Sequence, residues 1–282
     1  MEALVEFLGL PRLLLLAAVF VPLERLVSLH RRPLARPELS LDLAYAVLGG
    51  CLVRLGFLAV LLIAFALRDA TMPEAVTQAV GGLPIWVQII AVILISDLCF
   101  YWVHRLFHTV PALWRFHAIH HSIEHMDWLA GHRVHPLDQV LTKGSGLLPL
   151  ILLGFDEWAM AAAAMLYGWH SVLLHSNIRL KLRALEGVIA TPAFHHWHHS
   201  TERKAWDRNF AGQLSFLDRI FGTAYMPQGE APTSYGIEDP VPRRFVAQLI
   251  YPFRRAPAEA ARPQPDQPPR KSSSSEPITS TA

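Results

Sequence analysis

The sequence predicts an all-α protein, an integral membrane helical bundle with a cytoplasmic helical cap that carries clustered histidines. Three observations predict it. Hydrophobic residues make up 52% of the 282-residue chain and charged residues only 17%, whereas a soluble domain carries about 25% charged. Apolar runs recur at the length of membrane helices, about 20 residues each. Fourteen of the fifteen histidines fall between His104 and His199, many of them spaced for one face of a helix. A net charge of +2 leaves no electrostatic footprint for nucleic acid. Cys51 and Cys99 both sit in apolar runs, which argues against a disulfide framework or a Cys-type zinc site.

The apolar runs place transmembrane helices at about residues 4–23, 43–67 and 84–103. A fourth region, broken by Gly154, Asp156 and Glu157, reads as a helical hairpin over about 147–174. The start of the chain is acidic, with Glu2 and Glu6, and no small-residue cleavage site follows, so it reads as a retained helix and not a signal peptide. Orientation comes from the loops. Arg25, Arg31, Arg32 and Arg36 follow the first run, whereas Arg68 stands beside Asp69 and Glu74 after the second. Positive loops stay in the cytoplasm, which puts the N-terminus outside and every histidine-rich segment inside. The expected organisation is a membrane-embedded domain over 1–228, a C-terminal segment over 229–255, and a Pro-, Ser- and Ala-rich disordered tail over 256–282.

The spacing of the histidines carries the chemistry. His104 and His108 are four apart and share a helical face. His117, His120 and His121 stand at about 0°, 300° and 40° around a helix, again one face, and His195, His198 and His199 repeat that geometry. His196 lies about 100° off it and is expected beside the site or at the surface. Imidazole suits iron, zinc, copper or nickel, so ligand type alone does not choose the metal. The number of candidate ligands exceeds the four of a closed zinc site and points to more than one ion. Neither the Glu-x-x-His pairs of carboxylate di-iron bundles nor an H-E-x-x-H protease motif occurs. His30 lies in a basic loop and is expected to be solvated.

These residues also carry a family resemblance. The run SDLCFYWVHRLFHTVPALWRFHAIHHSIEHMDWLAGHRVHPLD, Ser96 to Asp138, resembles the fatty acid hydroxylase/sterol desaturase superfamily. So does TPAFHHWHHSTERKAWDRNFAGQLSFLDRIFGT, Thr191 to Thr223. The resemblance implies a non-haem centre of two iron ions, molecular oxygen, a lipid substrate such as a fatty acyl chain, sterol or polar lipid, and a separate electron-donor protein. It implies hydroxylation, with desaturation as the alternative. Carried over residue by residue, the metal ligands would be His104, His108, His117, His120, His121, His195, His198 and His199, with His175 of LLHSN added. His170 matches a possible partner of His175 but stands about 140° from it on a helix. His135, before Pro136, sits where the family often has His-Pro; a hydrogen-bonding role near the site is preferred and ligation comes second. Leu217 and Ala211 depart from the Trp and Gly usual there, which leaves the ligands intact and bears on subfamily and substrate. His125 and His132 match no family ligand.

Two further polar residues interrupt the apolar runs. Asp97, two turns before His104, is expected either to accept a hydrogen bond from a ligand imidazole or to pair with Arg54 of the second run. Arg179, Lys181, Arg183, Arg203 and Lys204 are a candidate docking surface for the electron donor. Rival readings are a membrane zinc hydrolase with Glu124 or Asp127 as general base, and a metal transporter with ligands near the bilayer midplane.

Overall fold

The computed structural model describes residues 2–180, 182, 184–227 and 231–254. The tail expected over 256–282 lies outside the described residues, as do Lys181 and Arg183. Among the described residues the fold is all-helical, and extended pairing is limited to the isolated bridges Ser28–Ile178 and Ser200–Tyr235.

The first apolar run is two helices, α1 (Glu2–Phe7) and α2 (Leu10–Leu26), broken at Gly9, whose φ of 68° is left-handed. Helix α3 (Leu39–Ala44) continues through a π-helical turn, Tyr45–Gly49, into α4 (Gly50–Thr71). A short α5 (Glu74–Gly81) leads to α6 (Ile85–Thr109), which carries His104 and His108 on its last two turns. Leu39–Thr71 and Ile85–Thr109 are long and apolar enough to cross a membrane, and only 11% and 22% of their most apolar windows are buried within the chain. Leu55, Leu58, Leu62 and Ile63 on α4, with Ile90, Leu94 and Leu98 on α6, face outwards. Apolar faces of this extent need a lipid environment, which makes this a membrane protein.

The hairpin expected over 147–174 is longer. Its first arm, α8 (Pro136–Leu153), starts where Pro136 takes the first helical position and His135 Nδ1 accepts from the Leu137 amide at 3.1 Å. Gly154, at φ 80°, ends it, and Asp156 caps α9 (Glu157–His175) by accepting from the Trp158 and Ala159 amides. Helix α8 packs chiefly against α4 and α6, and α9 lies against α6.

The cap rests on one end of these helices. Only Val110 separates α6 from α7 (Pro111–His121), and Pro111 opens the new helix. The last histidine box forms α10 (Pro192–His198), which starts on the Thr191 side chain and Pro192 and packs against α9. Helices α11 (Phe216–Ile220) and α12 (Phe245–Ile250) complete the cap. Arg36, expected as one of four loop charges, is instead buried in ion pairs to Asp42 at 2.7 Å and Asp127 at 2.5 Å. Arg133 joins the same cluster through Asp42 at 2.5 Å and Glu38 at 3.0 Å.

Candidate metal centre

Nine buried histidines converge in two groups. His104, His108, His117, His121 and His198 form one; His120, His175, His195 and His199 form the other. Within each group the candidate ligand atoms all lie within 4.8 Å of one another. The spacing decides the partition. Residues four apart on a helix point the same way, and the residue at i+3 stands about 60° to the other side. So His117 and His121 enter the first group with the pair His104/His108, while His120 enters the second. In α10 and its C-cap the same rule runs in reverse: His195 and His199 enter the second group and His198 the first.

The outward-facing nitrogens are tied to acceptors. His104 Nδ1 donates to the Phe210 carbonyl at 2.7 Å, His117 Nδ1 to Asp138 Oδ2 at 2.8 Å, and His198 Nδ1 to the Arg208 carbonyl at 2.7 Å. His120 Nδ1 donates to the Arg133 carbonyl at 3.0 Å and His175 Nδ1 to the Ser171 carbonyl at 2.7 Å. His108 Nδ1 lies 3.2 Å from Asp207 Oδ1. Carbonyl oxygens cannot donate, so in the neutral rings these bonds leave Nε2 of His104, His120, His175 and His198 without a proton; a neutral His117 donating to Asp138 is left the same way.

Bare nitrogens then face each other. Nε2 of His104 and His117 are 2.9 Å apart in the first group, and Nε2 of His120 and His175 are 3.1 Å apart in the second. Neither can donate, so two lone pairs repel unless a cation lies between them. Nitrogens sharing one ion at about 2.0–2.1 Å are about 3 Å apart. Outward donation to a carboxylate or carbonyl is also the usual support for a metal-bound imidazole. The donor set therefore fits two ions, one per group. Burial holds the imidazoles of His120, His121, His195 and His199 well below their ordinary pKa, with neighbouring imidazoles adding to the effect. They are neutral and ready to ligate at physiological pH.

A loop after α10 supplies much of the outer support. Asn209, in the left-handed region at φ 60° that Asn tolerates, donates to the Phe194 and Tyr225 carbonyls and accepts from the Tyr225 amide. Asp218 accepts from the Phe210 and Ala211 amides at 2.7 and 2.8 Å. Asp97 accepts from the amides of Gly212 and Gln213 with Oδ1 and of Leu214 with Oδ2, at 3.0, 2.9 and 2.7 Å. This corrects both expectations for Asp97. It bonds no imidazole and does not pair with Arg54, whose guanidinium donates to the Phe7 carbonyl at 2.7 Å. Ala211 and Leu217 pack with Tyr101 and Phe210 under this loop.

The remaining histidines lie outside both groups. His135 caps α8 and donates from Nε2 to the Leu249 carbonyl at 3.2 Å, and His170 donates to the Ala190 carbonyl at 2.8 Å. His196 is fully buried, not at the surface, with Nδ1 2.9 Å from the Tyr235 hydroxyl and Nε2 3.1 Å from the Ser176 carbonyl. His30, expected in solvent, reaches the same Tyr235 hydroxyl at 2.8 Å. His132 bonds the Leu129 carbonyl, and His125 is half-buried. The hydrolase bases are committed elsewhere: Asp127 to Arg36 and two amides, Glu124 to Arg243 at 3.2 Å. Asp138 stands three residues after His135 in the sequence, and the packing of α8 beside α7 brings its carboxylate to His117. Asp207 and Asp218 lay in the quoted second motif without a role.

Residues 89–223 match the fatty acid hydroxylase family. That match covers just under half of the chain and, with the relatives below, supports the fatty acid hydroxylase/sterol desaturase superfamily. The chain is 32% identical over 176 residues to an ornithine lipid hydroxylase of Rhizobium tropici, a match spanning 61% of this chain and 52% of that protein. It is 32% identical to the alkylglycerol monooxygenase of Homo sapiens over 51% of this chain and 32% of that enzyme. A Delta(7)-sterol 5(6)-desaturase of Gibberella zeae is 26% identical over 48% and 37% of the two chains. The chain thus spans about half or less of the length of these relatives. No solved structure matches it.

Proposed function

We propose that this protein is a membrane-bound, oxygen-dependent di-iron lipid hydroxylase, with the nine histidines of the two groups as its metal ligands. The facing bare Nε2 pairs, one in each group, carry the reading. Nine imidazoles exceed what a single zinc ion uses, and both candidate bases of a zinc hydrolase are held in ion pairs. Iron supplies the redox chemistry when bound, by the balance R–H + O2 + 2 electrons + 2 protons → R–OH + H2O, the electrons coming from a separate donor protein.

The chain's own residues do the positioning. Phe210, Arg208, Arg133 and Ser171 carbonyls and the Asp138 carboxylate aim the imidazoles inwards. Phe100 and Leu174 line the void beside the histidines, and Phe210 packs against His104, His108 and His198. The basic loop at Arg25, Arg31 and Arg32 supports a cytoplasmic site, and the exposed Arg179, Arg203 and Lys204 offer the donor a cationic surface. A lipid hydroxylase and alkylglycerol monooxygenases among the relatives favour hydroxylation over desaturation.

Metal analysis of anaerobically purified protein, followed by turnover with oxygen, a chemical reductant and total membrane lipid, tests this. Two irons per chain and a lipid product gaining one oxygen atom are expected. A product lacking two hydrogens would make it a desaturase. Stoichiometric zinc, or loosely exchanging metal, would sink the assignment.

A further inference from the structure

A second feature of the bundle points to the kind of lipid. A cavity of about 470 Å³ lies between α2, α4, α6, α8 and α9. Phe100, Gly131, Gln139, Lys143, Tyr167 and Ser171 line both this cavity and the small void beside His104, His117, His120, His175 and His195. The cavity and the histidine site are therefore neighbours that share one wall.

Its two ends differ chemically. The far end is apolar, built by Val92, Leu147, Leu150, Met160 and Ala163. Val92 and Ala163 stand twelve residues before His104 and His175 on their helices, about 18 Å away at 1.5 Å per residue. The wall also carries cations, Lys143 at the histidine end and the exposed Arg12 and Arg54. Lys143 Nζ sits 5.4 Å over the Tyr167 ring. The Arg12 guanidinium lies against Gly168, where a Cβ would come within 2.6 Å of it, so the absence of a side chain there admits the cation. Gly168 is seven residues before His175, about 10 Å along α9.

Among the described residues no carboxylate lies within ion-pair distance of Arg12, Arg54 or Lys143. A cation within a membrane helix is costly, and normally faces a partner or a water-filled cavity. Asp138, which lines the small void with Lys143, offsets part of the charge there, and the remaining repulsion among the three cations is relieved when an anion enters. Resting on the lipid-hydroxylase reading, we propose that the cavity binds a lipid with an anionic headgroup, a carboxylate or a phosphate. Arg12 and Lys143 hold the headgroup, Arg54 stands behind, and the acyl chain runs to the apolar end. The carbons brought nearest the histidines are then those close to the headgroup, and the distal chain is kept away.

Binding can be measured in phosphatidylcholine nanodiscs without added iron, so the result does not depend on turnover. A fluorescent N-acylglycine is displaced in turn by unlabelled N-acylglycine, its neutral methylamide, a lysophosphatidic acid of equal chain length, acetate, and inorganic phosphate. Both anionic lipids should bind about tenfold or more tighter than the methylamide, as expected for hydrogen bonds between charged groups. Arg12→Gln with Lys143→Gln should abolish that preference, and Arg68→Gln, on an exposed pair with Asp69, should keep it. Equal affinity for the methylamide in the wild-type chain overturns the proposal, whatever the variants do. Displacement by acetate or phosphate as effective as by the lipids would mark a small-anion site and overturn it too. Intact preference in a protein that forms no product would leave the lipid site standing and refute the hydroxylase.

Discussion

Asp97 and His104 stand seven residues apart on α6 and grip one loop at two points. The carboxylate takes the amides of Gly212, Gln213 and Leu214, and the imidazole donates to the carbonyl of Phe210. The orientation of a candidate ligand thus depends on a carboxylate it never touches. Asp97→Ala frees three buried amides and should lower bound iron and turnover about 10–100-fold, the usual cost of losing support for a metal ligand. Metal content and melting temperature check it. Full iron occupancy in the variant would break the link between Asp97 and the centre.

Asp138 acts directly. Its Oδ2 accepts from His117 Nδ1 at 2.8 Å, which fixes the tautomer with Nε2 bare. In Asp138→Asn the amide oxygen can still accept this bond, so iron binding should fall modestly. Asp138→Ala leaves the N–H unmet and should cost about 10–100-fold. Equal behaviour of the two variants in an iron titration would exclude an orienting role.

His196 and His198 are two residues apart and serve different purposes. His198 belongs to the five-histidine group, whereas His196 is held between Tyr235 and Ser176. His198→Ala should abolish oxidation and remove iron. His196→Ala should retain the iron and some turnover, with a lowered melting temperature from the polar groups left unpaired. Equal loss of iron in both would refute the division of this box.

Acid should destabilise the metal-free protein. Burial pushes His196 down to about 3 and His132 to about 4, below the ordinary value of about 6.5. The unfolded chain therefore takes up protons first as pH falls. Stability should be level above about pH 7 and decline as pH drops from 6.5 towards 4. Melting curves across that interval check it, and a flat profile down to pH 5 would contradict the neutral, buried state of these rings.

The histidine boxes were legible in the sequence because helical periodicity is local: spacing alone put His117, His120 and His121 on one face. Most of the supports were not legible, because they cross the chain; the Ser171 carbonyl under His175 is a local exception. Asp97 meets Gly212 across 115 residues and His120 meets the carbonyl of Arg133 only after the chain turns. Asp97 in an apolar run suggested a side-chain partner, but three backbone amides won, since a loop folded onto a buried carboxylate satisfies both sides. The membrane helices were legible from apolar length. The break at Gly9 was not, because a left-handed glycine leaves no mark on hydropathy. Sharing a face did not reveal how the imidazoles divide between two groups, because that depends on which neighbour each side of the face meets.

That division has a consequence for how the centre fills. Helix α7 gives two imidazoles to one group and His120 to the other, and the α10 segment gives two to the second and His198 to the first. Neither helix can be fixed by one ion without bringing a donor for the other ion into place. In the proposed two-ion centre the first ion to bind would meet most of the ordering cost for both, and the second would find its site assembled. Loading is then expected to be cooperative, so that at limiting metal the chains divide between empty and doubly filled, with the singly filled form scarce.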